Sequence, residues 1–169
     1  MVALPAVDSE IGAATLRAHL DQFWSNRRLD ELGWRRVDAD PLHVVVTIPA
    51  RRPDGTIDDY HVQLGADHYD LYPPTVLFVS PDDGWPRARI GSHWWPRIDN
   101  PSWFQLHDVY NASYPNQVVC FSFTAEYYMT GHSPEPNQQW RQGKHTVAAT
   151  LSRLNEVLTP PHYLGRGDD

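Results

Sequence analysis

Leu42-His43-Val44-Val45-Val46-Thr47-Ile48 is the stretch on which the fold of this chain turns. β-Branched residues dominate it, and these suit a pleated, half-buried backbone better than a helix. Asp40-Pro41 before it and Arg51-Arg52-Pro53-Asp54-Gly55 after it are turn chemistry. Beyond the second turn, Tyr60, Val62 and Leu64 alternate with Asp59, His61 and Gln63, which predicts a strand folding back as a hairpin. Before the central run, Gly33 is a break and Trp34 to Val37 reads as a short strand. After Tyr72-Pro73-Pro74, the run Thr75-Val76-Leu77-Phe78-Val79 stops at Ser80-Pro81-Asp82-Asp83-Gly84, a fourth strand ending in a turn. Four sequential strands with short connections predict an antiparallel meander.

Helical signals flank the meander. Asp8-Ser9 are good N-cap types, and Ile11, Leu16, Leu20, Phe23 and Trp24 approximate one face of a helix within residues 8–29. Near the other end, Val147, Leu151, Leu154 and Leu158 stand at offsets 0, 4, 7 and 11, with Thr146 as a cap and Pro160-Pro161 as a stop. From Trp85 to Trp140 periodicity fades, and only Val118 to Phe123 offers an apolar run. Long irregular segments in compact domains are usually functional. The sum is one α+β domain over residues 1–169, with its core at about 8–160 and residues 161–169 as a loose tail. A chain of 169 residues is long enough to bury about 70% of the surface its unfolded form exposes.

Composition excludes several classes. The 14 basic residues face 21 acidic ones, net charge −7, and no basic run exceeds the pairs Arg27-Arg28, Arg35-Arg36 and Arg51-Arg52, which argues against nucleic acid as a partner. No stretch approaches the roughly 18 apolar residues of a membrane helix, and no basic-then-apolar leader opens the sequence, so a cytoplasmic protein without a membrane partner is expected. The one cysteine, Cys120, forbids an internal disulfide and a structural thiolate zinc site. Nine histidines are present, yet His61 and His68 are seven apart, His93 and His107 fourteen apart, and no pair has helical ligand spacing. No metal site is expected.

The order of elements, with Tyr72-Pro73-Pro74-Thr75-Val76-Leu77-Phe78 closing the meander and Cys120 preceding the late helix, resembles the ubiquitin-conjugating enzyme family over roughly residues 8–160. In that family a Tyr-Pro-Pro-like segment leads into the fourth strand, and a His-Pro-Asn motif sits shortly before the catalytic cysteine. A Trp and a Pro follow before the next helix. Here Tyr114-Pro115-Asn116 precedes Cys120, and Trp140 lies between Cys120 and the helix. The sequence departs from the family in four respects. Tyr114 stands where His is usual, and Asn116 is only four positions from Cys120. The stretch from Pro81 to Cys120 is longer than is typical, which predicts an inserted loop, and the two further helices of the typical fold have no counterpart. In these respects the chain is similar to the conjugating enzymes of bacterial ubiquitin-like systems, which are encoded beside their own modifier and activating enzyme.

The resemblance implies that Cys120 takes a ubiquitin-like modifier as a thioester from an activating enzyme and passes it to an amine or hydroxyl of a protein acceptor, with no small-molecule cofactor. It assigns the tetrahedral oxyanion to Asn116, with Asn111 as the other available amide; either is also good turn chemistry. An acceptor base would come from His132, Glu126, His107 or Asp108. His132 is favoured because Gly131 and Ser133-Pro134 predict a loop just after the cysteine strand. The first helix carries Arg17, Arg27 and Arg28, on the element that meets the activating enzyme in this family. A single lysine, Lys144, fits an enzyme that would otherwise acylate itself, and Arg-rich coding bias fits equally. Trp94, Trp95, Trp103 and Phe104 read either as a partner platform or as aromatics packed over the sheet. Two other functions stay open: an inactive binding module of the same fold, with Cys120 a buried apolar residue of the Val118–Phe121 run, and a thiol hydrolase pairing Cys120 with His107 or His132.

Overall fold

The computed structural model describes residues 1–25 and 27–169. Helix α1 spans Ser9–Ser25. Asp8 caps it, its Oδ1 accepting from the Glu10 and Ile11 amides at 3.1 Å each. The buried face is Gly12, Ala13, Leu16, Leu20 and Phe23; Leu16, Leu20 and Phe23 are as expected, Trp24 packs half-buried at the edge, and Ile11 is exposed. A Cβ on Gly12 would lie 2.7 Å from the Ala66 carbonyl oxygen and 3.0 Å from that of Tyr69, so the helix backbone rests directly on the chain leaving the sheet.

Four strands follow, β1 (Arg35–Asp40), β2 (His43–Arg51), β3 (Ile57–Gly65) and β4 (Thr75–Val79), paired antiparallel in sequence order. β1 runs from Arg35 to Asp40, past the Val37 end expected for it, because Asp40 makes the turn: its Oδ1 accepts from the Leu42 and His43 amides. Val46 faces Val62, which faces Phe78, and this inner face is sealed with Val44, Ile48, Tyr60, Leu64 and Val76, all inaccessible to solvent. The opposite face is covered too. His61 bonds to Thr47 Oγ1 at 2.9 Å and lies under Trp85 and Trp94, so the segment after β4 folds back over the sheet. Trp95 and Phe104 are buried, and Trp94 and Trp103 pack against the core, which gives these aromatics the packing role.

The irregular stretch holds short elements: β5 (Pro96–Ile98), β6 (Gln105–His107), β7 (Val118–Cys120) and helix α2 (Ala125–Met129). Helix α3 spans Val147–Val157, with Thr146 accepting from the Ala148 amide as its cap. Val147, Leu151, Leu154 and Leu158 are fully buried, as their spacing predicts. The loose tail does not exist. Tyr163–Arg166 form β8, antiparallel to β5, and Tyr163 is fully buried. A buried anion holds it there: Asp58 accepts from Tyr163 Oη at 2.7 Å and pairs with Arg52 at 2.5 Å and Arg166 at 3.2 Å. Arg52 also reaches Asp169 at 2.8 Å, so the core extends past the expected limit at residue 160. No helix among the described residues is long and apolar enough to cross a membrane.

Candidate active site

Cys120 ends β7, opposite Gln105 of β6. Val118 and Val119 before it and Phe121 after it are buried in the core, which accounts for the apolar run. Cys120 itself keeps 8% exposure and lies on a cleft of about 350 Å³, lined also by Trp103, Gln105, Ser122, Tyr127, His132 and Gln138. The chain turns back immediately after the cysteine. Thr124 fixes that turn, its hydroxyl lying 2.8 Å from the Val119 carbonyl and 3.0 Å from the Phe121 carbonyl, and α2 starts at the next residue. The short helix and its exit bring Thr130 and His132 beside the sulfur.

Thr130 Oγ1 and His132 Nδ1 are each 4.0 Å from Cys120 Sγ and 2.8 Å from one another. The imidazole stacks on Tyr127 with ring centroids 4.8 Å apart and planes 27° off parallel. Burial pushes the Cys120 thiol above its ordinary range; the Thr130 contact works downward and any charge on Glu126 works upward. A thiol in this setting needs a donor to support its thiolate.

Glu126 is not an available base. It sits on the inward side of α2, 4% exposed, where Oε1 accepts the Val76 amide at 2.9 Å and Oε2 has no partner among the described residues. Burial raises its carboxyl to about 8, so at neutral pH it is a protonated acid joining α2 to β4.

The other expected residues are dispersed. Asn116 Oδ1 lies 3.3 Å from an Arg87 guanidinium nitrogen, and Asn111 Oδ1 accepts from the Ser113 and Tyr114 amides; neither lines the cleft, and both serve the turn between β6 and β7. The short spacing from Asn116 to Cys120 is consumed by the strand itself and by Gln117. Gln117 is buried and holds Phe78 through both its amide oxygen and its amide nitrogen. Asp108 pairs with Arg89 at 3.0 Å, and His107 Nε2 lies 3.2 Å from Gln105 Oε1, outside the cleft lining. Of the residues named from sequence, Cys120 and His132 are brought together.

Gln105, Thr130 and Tyr127 were not legible as site residues. Gln105 arrives through a three-residue strand pairing, and Thr130 through a helix of little more than one turn, neither of which has a periodic signal. Among the described residues no three His, Cys, Asp or Glu side chains gather as metal ligands.

No protein-family model matches the chain, and no curated protein matches it.

Proposed function

We propose that this chain is a ubiquitin-conjugating-like transferase that carries a ubiquitin-like modifier on Cys120. The observation that carries the reading is the sole thiol of the chain on a polar cleft, with a histidine and a hydroxyl each 4.0 Å from its sulfur. The element order supports it: an N-terminal helix, a four-stranded antiparallel sheet, a cysteine at a strand end, and a later helix.

In the loading step the Cys120 sulfur attacks the thioester carbonyl held by an activating enzyme. A new C–S bond forms, the old one breaks, and the enzyme's thiolate departs, taking up the proton that Cys120 gives up. In discharge an amine or hydroxyl of a protein acceptor attacks the carbonyl on Cys120. The oxyanion formed in both steps needs a donor already in place. Gln105 supplies an amide in the cleft: with Oε1 turned to His107, its NH₂ has no partner among the described residues. It takes the role that the motif had assigned to Asn116. The partners are an activating enzyme, the modifier and a protein acceptor, in the cytoplasm, and the chemistry requires no small-molecule cofactor.

Substituting Cys120→Ser tests this reading. In the presence of a ubiquitin-like modifier, its activating enzyme and ATP, the serine protein is expected to trap the modifier as an oxyester that survives reductant. Absence of any adduct on both wild type and the serine variant, with the partners active on each other, would overturn it.

The 4.0 Å approach of His132 to the sulfur also favours a second reading, a thiol hydrolase. In such an enzyme the facing nitrogen takes the thiol proton and the ring's other nitrogen donates to an orienting carboxylate or amide. Here the facing nitrogen, Nδ1, is engaged by the Thr130 hydroxyl, and Nε2 has no such partner among the described residues. The inactive binding module fits less well, since a merely structural cysteine needs no polar neighbours.

A further inference from the structure

Three contacts converge on the Thr130 hydroxyl. Its oxygen is 2.9 Å from the Glu126 carbonyl oxygen, 3.0 Å from the Tyr127 carbonyl oxygen and 2.8 Å from His132 Nδ1. A hydroxyl has one proton to give and two lone pairs with which to accept. If that proton went to His132, the Thr130 oxygen would meet two carbonyl oxygens at hydrogen-bond distance with no hydrogen between them. If it goes toward the carbonyls, as threonines near helix ends commonly do, all three contacts become favourable, and Nδ1 must then be the donor.

We infer that Thr130 is a positioning residue that fixes the ring proton of His132 on Nδ1, the nitrogen facing the Cys120 sulfur. The inference deepens the transferase reading and rests on it for its catalytic consequence, though not for the tautomer. With Nδ1 protonated, His132 cannot take the thiol proton through the nitrogen nearest the sulfur, as a hydrolase dyad would. Its free lone pair is on Nε2 instead. During discharge the acceptor's N or O bonds to the thioester carbon and the C–Sγ bond breaks with its electron pair passing to sulfur. The acceptor's proton leaves to Nε2, which has no protein partner among the described residues and lies on a ring lining the cleft, or to water.

The test is long-range proton–nitrogen NMR of the His132 ring in the free protein, at a pH above the ring's own titration, followed by single-turnover discharge of the preformed modifier thioester to free lysine and to glycerol. Wild type and Thr130→Ser are expected to carry the proton on Nδ1, and Thr130→Val to carry it on Nε2. Discharge is expected to slow by about 10- to 100-fold in Thr130→Val and to stay near wild type in Thr130→Ser. A wild-type ring protonated on Nε2 would overturn the inference, whether or not the valine variant folds. Equal discharge rates in the two folded variants would overturn its catalytic part. Failure of wild type to form a thioester would count against the transferase alone, because the ring measurement needs no partner.

Discussion

Glu126 shows how far a residue's environment can depart from its type. In the unfolded chain its carboxyl ionises near its ordinary value of 4.5, and in the folded protein near 8, because burial disfavours the charge. Between those values the native state holds the extra proton. The stability this group contributes is therefore fully present below about 4.5 and is lost as pH rises towards 8. Thermal melts of wild type and Glu126→Gln from pH 5 to 9 should show wild type losing stability relative to the variant across that window. A constant difference between the two would contradict the burial account. Nothing in the sequence marks this glutamate: Ala125 to Met129 is too short for a periodic pattern, so a residue buried under β4 reads there as an available base. Cys120 is the opposite case. It was legible because it is the sole thiol, and His132 was legible from the loop chemistry around it, but Thr130 was not, because its place depends on where a five-residue helix ends.

At the scale of elements, the meander and the late helix were legible from residue pattern, and for a physical reason. β2 and β3 carry dense β-branched and alternating residues, and α3 carries an uninterrupted apolar stripe behind a threonine cap, so local preference and tertiary burial agree. On α1, Leu16, Leu20 and Phe23 were legible as the buried face and Gly12 was not, since the sequence does not reveal that it lies against two carbonyl oxygens. Gly12→Ala tests that contact. Alanine improves helix propensity by about 1 kcal/mol, but its Cβ would lie 2.7 Å from a backbone oxygen that a turn holds in place. The overpacking cost prevails, and a net loss of about 1–2 kcal/mol is expected in denaturant unfolding. A stabilised variant would mean that the helix rests less closely on the sheet exit. The strands β5, β6 and β8 escaped notice because three or four residues each give no countable period, and β7 showed only as the apolar run from Val118.

The whole molecule is closed by its C-terminal strand. Asp58 lies on β3 next to the hairpin turn, and Tyr163, Arg166 and Asp169 come from the other end of the chain to meet it and Arg52. Burial acts to raise the Asp58 carboxyl, yet the bonds from Arg52 and Tyr163 and the Arg166 charge together hold it below its ordinary value. Its contribution is thus present above about pH 4 and lost as pH falls through the depressed value. Removing the phenol in Tyr163→Phe takes a donor from a buried anion and should cost about 1–3 kcal/mol at neutral pH. The variant's deficit should narrow on acidification, as Asp58 is protonated, and a deficit independent of pH would place the cost elsewhere. This closure tethers β8 to β5, at the far end of the segment whose other strands present Cys120 and Gln105.

The transferase reading is tested most directly by intact mass after mixing the wild-type protein with a ubiquitin-like modifier, its activating enzyme and ATP, with and without thiol reductant. Given an active modifier and activating enzyme, the account predicts an added mass of one modifier, less water, that disappears with reductant and does not form on Cys120→Ala. An unmodified wild-type mass, with the activating enzyme shown to be charged with modifier in the same mixture, would contradict it.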